Sequence, residues 1–216
     1  MAEFEVLETA EDVAEAAAAE IAAALGEGAR TLVLAGGSTP KRTYELLTQA
    51  DVTWGRVTIL FGDERCVPPD HPESNYRLAR ETLLDKVAPG SVHRIAGELG
   101  PDEAAELYGR IVAALAPLDV VLLGAGEDGH TASLFPGHPE VDAPGWAVGV
   151  RIAPMPPPDR VSLTLAALQG ARRVIVLATG AGKADAVAKA KRGEVPSGMI
   201  ANARWLIDRA AAAASK

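Results

Sequence analysis

Apolar residues along this chain fall into two alternating patterns. One is a short run with no polar interruption, the mark of a strand buried on both faces. The other is a longer stretch in which apolar residues recur every three or four positions, the mark of a helix with one face on a core. Read this way, residues 11–25 form an Ala-rich helix, 30–35 a strand, 40–49 a helix with Pro40 in its first turn, and 57–62 a strand. Ser74 is placed to cap a helix over 74–86, and another helix covers 102–115. Strands follow at 119–123 and 147–152, a short helix at 163–169, a strand at 173–178, a helix at 181–191 and a last strand at 204–208. This alternation predicts an α/β fold with a mostly parallel central sheet and helices on both faces. The proline run at 154–158 reads as a stiff loop, because a further strand–helix pattern follows at once. Residues 1–216 are therefore expected to form a single domain, with the Ala-rich end, 210–216, a frayed helix or a disordered tail.

Composition narrows the function. A hydrophobic content of 48% over 216 residues supplies one sizeable core. The net charge of −8 argues against a nucleic-acid or anionic-membrane partner, while leaving room for a local basic pocket. The one cysteine, Cys66, can form no internal disulfide, which fits a reducing cytoplasm. No uncharged apolar run reaches the ~18 residues of a membrane span. Glu3, Glu5 and Glu8 do not suit a signal peptide.

The chemistry gathers where strands end, which is where open α/β sheets bind ligands. After the strand at 30–35 come Gly36, Gly37, Ser38 and Thr39 at a helix start. Glycines let the backbone approach an anion, and the N–H groups and hydroxyls can hold it. By itself this is also what a capped tight turn looks like. After 57–62 come Asp63, Glu64 and Arg65, on a loop that continues to Ser74-Asn75-Tyr76. Charged side chains there face solvent, pair, or meet a ligand; Arg65 suits an anion or a developing oxyanion. Cys66 reads as a packing residue, since nothing nearby marks a depressed thiol pKa. After 119–123 comes Gly124-Ala125-Gly126-Glu127-Asp128-Gly129-His130. It matches a dinucleotide fingerprint in spacing only: Glu127 and Asp128 would repel a pyrophosphate, and Pro136 would shorten the helix that should follow. The sharper reading is a pair in which Asp128 orients His130, a residue type that exchanges protons near neutral pH.

Arg160, after the proline run, and Lys183, in Gly180-Ala181-Gly182-Lys183, could each complete an anion site. The histidines, His71, His93, His130 and His138, show no metal-ligand spacing.

The ordered set of segments resembles the 6-phosphogluconolactonase family from Leu34 to about Ala184. Its carriers are Leu34–Pro40, Gly62–Arg65 with Ser74-Asn75-Tyr76, Leu122–Gly137, Pro157–Thr164 and Gly180–Lys183. The resemblance implies the Rossmann-like fold shared with amino-sugar phosphate deaminases. It implies a small phosphorylated sugar lactone as the partner, with hydrolysis of 6-phospho-D-glucono-1,5-lactone, no metal and no organic cofactor. The chain would act as a monomer or homodimer. Carried onto this chain, His130 is the general base, Asp128 its orienting partner, and Arg65 a substrate or charge-stabilising group. Gly37, Ser38, Thr39, Lys183 and Arg160 would hold phosphate, with Asp63 and Asn75 in support. Met155 departs from the pattern, since many relatives carry a basic residue in that loop. One alternative is a glucosamine-6-phosphate deaminase, but those enzymes carry Glu five residues after the histidine, where this chain has Phe135. Another is a non-catalytic sugar-phosphate sensor, which would need neither Asp128 nor His130.

Overall fold

The uninterrupted apolar runs become the inner strands of a parallel sheet. In the computed structural model, which describes residues 2–213, the chain runs β1 (Glu3–Leu7), α1 (Ala10–Gly26), β2 (Thr31–Leu34), α2 (Ser38–Leu47), β3 (Thr58–Phe61) and β4 (Asp63–Arg65). It continues as α3 (Asn75–Ala79), β5 (Ser91–Val92), α4 (Pro101–Leu115), β6 (Val120–Gly124), β7 (Ala147–Val150) and β8 (Arg160–Leu163). The last elements are α5 (Leu165–Gln169), β9 (Arg173–Ala178), α6 (Ala184–Lys191), β10 (Ala203–Asp208) and α7 (Arg209–Ala212). Seven strands form one sheet in the order β1-β10-β9-β6-β2-β3-β5. Every pairing in it is parallel. The helices flank it. Thr31–Leu34 and Val120–Leu123 are buried at every position, as a strand covered on both faces requires.

The structure departs from the sequence reading in several places, among them the short strand β5, which that reading lacks. Residues 63–65 are not a loop but strand β4, and 160–163 form strand β8 ahead of the short helix read at 163–169. With β7 they make a separate antiparallel sheet, β4-β8-β7, so the strand read at 147–152 lies outside the parallel sheet. The N-terminal strand β1 was not read at all. It is a sheet edge whose Phe4 stacks on Trp205 with ring centroids 5.0 Å apart. The helix read over 74–86 is α3 followed by a π-helical turn at Arg80–Leu84. At the C-terminus, the Asp208 side chain caps α7 and Ala211 is buried. The rest of the expected frayed end, 214–216, lies outside the described residues.

Strand order reverses at β2 and β6. The chain leaves β2 toward β3 and β5 on one side, and β6 opens the other side toward β9 and β10. The crevice at such a reversal is the general ligand site of open α/β sheets. Two buried tyrosines fix how the neighbouring strands end there. Tyr44 Oη, from α2, accepts from Ala35 N–H at 2.8 Å and donates to Ala35 C=O at 2.7 Å. Tyr108 Oη, from α4, does the same to Phe61 at 2.7 and 2.8 Å. Each hydroxyl satisfies a backbone pair that the sheet leaves open, and so sets where the next loop begins.

Candidate active site

A cavity of about 250 Å³ opens at this reversal. Its wall includes Gly37, Ser38, Thr39, Asp63, Arg65, Asn75, His130, Arg160 and Lys183. The candidate residues, read from five separated segments, thus meet on one surface. Asp128 is not part of that wall; it stands behind His130. The wall also holds Thr179, Ala132 and Met155, of which only Met155 drew comment in the sequence.

The histidine loop is built around a glycine. Asp128 Oδ1 lies 2.6 Å from His130 Nδ1 and accepts the His130 backbone N–H at 3.0 Å. A Cβ on Gly126 would overlap His130 Nδ1 and would stand 2.6 Å from Asp128 Oδ1, so this fold of the loop needs glycine there. Burial pushes the Asp128 carboxyl upward, but the His130 N–H and ring outweigh it and hold the group below its ordinary range. A carboxylate at Nδ1 favours the tautomer with the proton on Nδ1 and leaves Nε2 as the free base. Nε2 has no protein partner among the described residues. The imidazole packs on Phe135 with centroids 4.7 Å apart. Phe135 is fully buried and has the Arg160 guanidinium 5.7 Å above its ring. An apolar floor thus carries both groups. Behind the loop, Ser197 N–H donates to Gly129 C=O at 3.1 Å.

Alternation along β4 sorts the charged trio. Successive strand residues point to opposite sides, so Asp63 and Arg65 face the cavity and Glu64 faces away. Glu64 is buried and accepts from the N–H groups of Arg65, Asn75 and Tyr76 at 2.8 Å each, and from Ser74 Oγ at 2.9 Å. Burial pushes its carboxyl up against the pull of these donors. Glu64 therefore ties the start of α3 to β4. Asp63 accepts from Asn75 Nδ2 at 3.1 Å and from Ser133 Oγ at 2.7 Å. The Asn75 amide fills the space a side chain at Gly36 would take, since a Cβ there would overlap Asn75 Oδ1. Ser133 was missed in the sequence, because its partner lies 70 residues away. Cys66 is half-buried, and burial, then nearby carboxylates, pushes its thiol up to about 11.

Arg65 and Arg160 are direct cross-strand partners of β4 and β8. Like charges opposite one another are unfavourable unless something negative joins them. Arg65 Nη1 donates to Glu73 C=O at 2.6 Å, and its Nε is buried without a partner. Arg160 is 2% exposed. It holds the proline loop by its carbonyls: Nε to Pro157 at 3.0 Å and Nη2 to Met155 at 3.1 Å. Burial, then Arg65, lowers the Arg160 pKa, and the more distant Asp63 and Glu73 only partly offset this. The Met155 main chain is thus fixed while its side chain lines the cavity.

The last wall is the turn after β9. Thr179 Oγ1 and Thr39 Oγ1 lie 2.8 Å apart and join it to the first turn of α2. Thr179 had a readable signal: it directly follows a strand and precedes the Gly180–Lys183 turn. Among the described residues no group of three or more His, Cys, Asp and Glu side chains is placed to hold a metal ion. No helix among them is long and apolar enough to cross a membrane.

Residues 6–207 match the family of glucosamine-6-phosphate isomerases/6-phosphogluconolactonase. The chain is similar to a 6-phosphogluconolactonase of Streptomyces coelicolor, with 39% identity covering 93% of this chain and 89% of the relative. It is similar in structure to the 6-phosphogluconolactonase from Trypanosoma brucei, with a TM-score of 0.85 and 31% identity over 98% of both chains. A monomeric glucosamine-6-phosphate deaminase has the same fold, with a TM-score of 0.85 at 22% identity over 97% of this chain and 98% of that one. The fold alone therefore does not separate the two chemistries.

Proposed function

The chain belongs to the glucosamine-6-phosphate isomerase/6-phosphogluconolactonase family and is an enzyme of its lactonase branch; on that premise we propose that it hydrolyses 6-phospho-D-glucono-1,5-lactone with His130 as general base. The observation that carries this reading is the 2.6 Å contact of His130 Nδ1 with Asp128, at the wall of a cavity lined by Arg65, Arg160 and Lys183. His130 Nε2 takes a proton from water as its oxygen attacks C1 of the lactone. The carbonyl oxygen becomes a tetrahedral oxyanion, which the Arg65 guanidinium on the cavity wall stabilises. The intermediate collapses, the C1–O5 bond breaks, and the leaving ring oxygen takes the proton from the imidazolium. The product is 6-phosphogluconate, as in the oxidative pentose phosphate pathway. Asp128 fixes the tautomer and steadies the imidazolium. Gly37, Ser38, Thr39, Thr179, Lys183 and Arg160 hold the phosphate, which fixes the ring for attack. Asp63 and Asn75 position the sugar side of the wall. The steps need no metal and no organic cofactor.

The deaminase reading lacks its carboxylate. The position where those enzymes carry Glu is Phe135, buried against His130. A sensor would not need a free imidazole nitrogen held by a carboxylate.

The test is a coupled assay in which the lactone is generated from glucose 6-phosphate and the acid is read by a 6-phosphogluconate dehydrogenase. Acceleration above spontaneous hydrolysis, proportional to the protein, is expected. Its absence with folded protein overturns the reading.

A further inference from the structure

Asp208 ends β10, one residue beyond the part of the chain that matches the family. It does not line the cavity and it is 6% exposed. Its carboxylate accepts the Gly180 N–H with both oxygens, at 2.9 and 3.1 Å, and the Ala211 N–H at 2.7 Å. The second bond is an ordinary helix cap for α7. The first reaches 28 residues back, to the opening residue of the turn that carries Lys183.

Ala181–Lys183 form a 3-10 turn that runs into α6, with hydrogen bonds, among the described residues, only to its own neighbours. Gly180 has a φ of +89°, a left-handed conformation open to glycine, and Gly182 adds a second soft link. Inside the turn, Lys183 N–H donates to Gly180 C=O at 3.0 Å. The N–H groups of Ala181 and Gly182 have no partner among the described residues. On one side of Gly180 stands Thr179, hydrogen-bonded to Thr39; on the other, Lys183. A shift of Gly180 therefore moves both groups out of the cavity wall together. A glycine-rich turn left to fluctuate would have to be ordered by each incoming ligand, and that ordering is lost from affinity.

We propose that Asp208 is a positioning residue for the phosphate end of the substrate: it locks Gly180, and through it holds Thr179 and Lys183 in place before the ligand arrives. This rests on the reading that Lys183 binds phosphate. It predicts a defect in capture, with the chemistry at His130 intact.

The decisive variant is Asp208→Ser. Serine keeps a cap for Ala211 but is too short to hold Gly180 as well. Asp208→Asn, which keeps the shape and one acceptor, is the milder companion. The readouts are KM and kcat for the 6-phospholactone, and the concentration of inorganic phosphate that halves turnover. Asp208→Ser is expected to raise KM and the phosphate concentration together by about tenfold, equivalent to about 1.4 kcal/mol, with kcat within about twofold. Asp208→Asn should fall between it and the parent. A fall in kcat at unchanged KM, or no change in either constant, overturns the proposal. Lys183→Ala is run beside them. If it raises KM and Asp208→Ser does not, the positioning role alone fails. If Lys183→Ala leaves KM and phosphate inhibition unchanged, the phosphate reading of the turn fails, and this inference with it.

Discussion

Two segments place a carboxylate and a basic group on the wall of the same cavity or just behind it, by opposite means. In Gly126–His130 the pair forms inside one tight turn: Asp128 and His130 are two residues apart and touch because Gly126 leaves room. In Asp63–Arg65 the residues are also two apart, yet they do not pair with each other. They share a face of β4, and their partners come from elsewhere: Ser133 and Asn75 for Asp63, Glu73 and the facing Arg160 for Arg65. The turn is a local device whose geometry depends on a missing side chain. The strand is a platform whose groups take their meaning from the sheet. The first should fail abruptly when one atom is added, and the second gradually as its supports are removed.

The largest expected effect is His130→Ala, which should lower kcat by about 10²–10⁴-fold while 6-phosphogluconate still binds, as read by the coupled assay and by calorimetry. Near-parental turnover would remove His130 as the base. Gly126→Ala tests the local device. The added methyl must displace the histidine or its aspartate, and a shift of about 1 Å costs on the order of 10²-fold in turnover. Circular dichroism should show the fold intact, and a variant with parental kcat would show that the turn has slack. On the strand, Glu64→Gln should destabilise the protein by about 1–3 kcal/mol, because buried N–H groups lose a charged acceptor. Urea unfolding measures this, and turnover should fall far less than in Gly126→Ala; a loss equal to that of the glycine variant would erase the contrast. The smallest effect is on pH. The Asp128 carboxyl is held below its ordinary range, so its contribution to stability is full above the unfolded pKa, about 3.9, and is lost as pH falls through the depressed folded value. The gap in Tm between parent and Asp128→Asn should be present near neutral pH and close as the solution is acidified; a gap independent of pH contradicts this.

The same contrast explains what could be read from the chain. The inner strands and the histidine pair were legible because their marks lie within a few residues of one another; the Lys183 turn shows itself by its glycines, although its anchor, Asp208, lies 28 residues on. Strand β8 was not legible, because Arg160–Leu163 is a short strand behind the proline run, and of its two partners β4 lies about a hundred residues earlier and looks like a charged loop in isolation. Glu64 could not be separated from Asp63 and Arg65 until β4 was known to be extended, since only then does alternation assign it to the far side. The contact of Thr39 with Thr179 spans 140 residues and has no local mark. β1 is only five residues long and its polar–apolar alternation breaks at Val6-Leu7, too little to tell an edge strand from a charged lead-in. The Arg80–Leu84 π-turn lies inside a stretch whose periodicity reads as a plain helix.

Arg160 is fastened by neutral carbonyl oxygens, and no carboxylate among the described residues lies within ion-pairing distance of it. Asp63 and Glu73 act on its charge only from a distance, so that charge is incompletely compensated where it sits, inside a molecule whose net charge is −8. An approaching dianion meets a repelling exterior first and an attracting mouth last. Dissolved ions damp the distant part of that field most strongly, since screening sets in beyond about 10 Å at 0.1 M salt. Moderate ionic strength then lowers the outer barrier while sparing the inner attraction, so encounter with the ligand should tolerate salt better than it would in a uniformly basic protein.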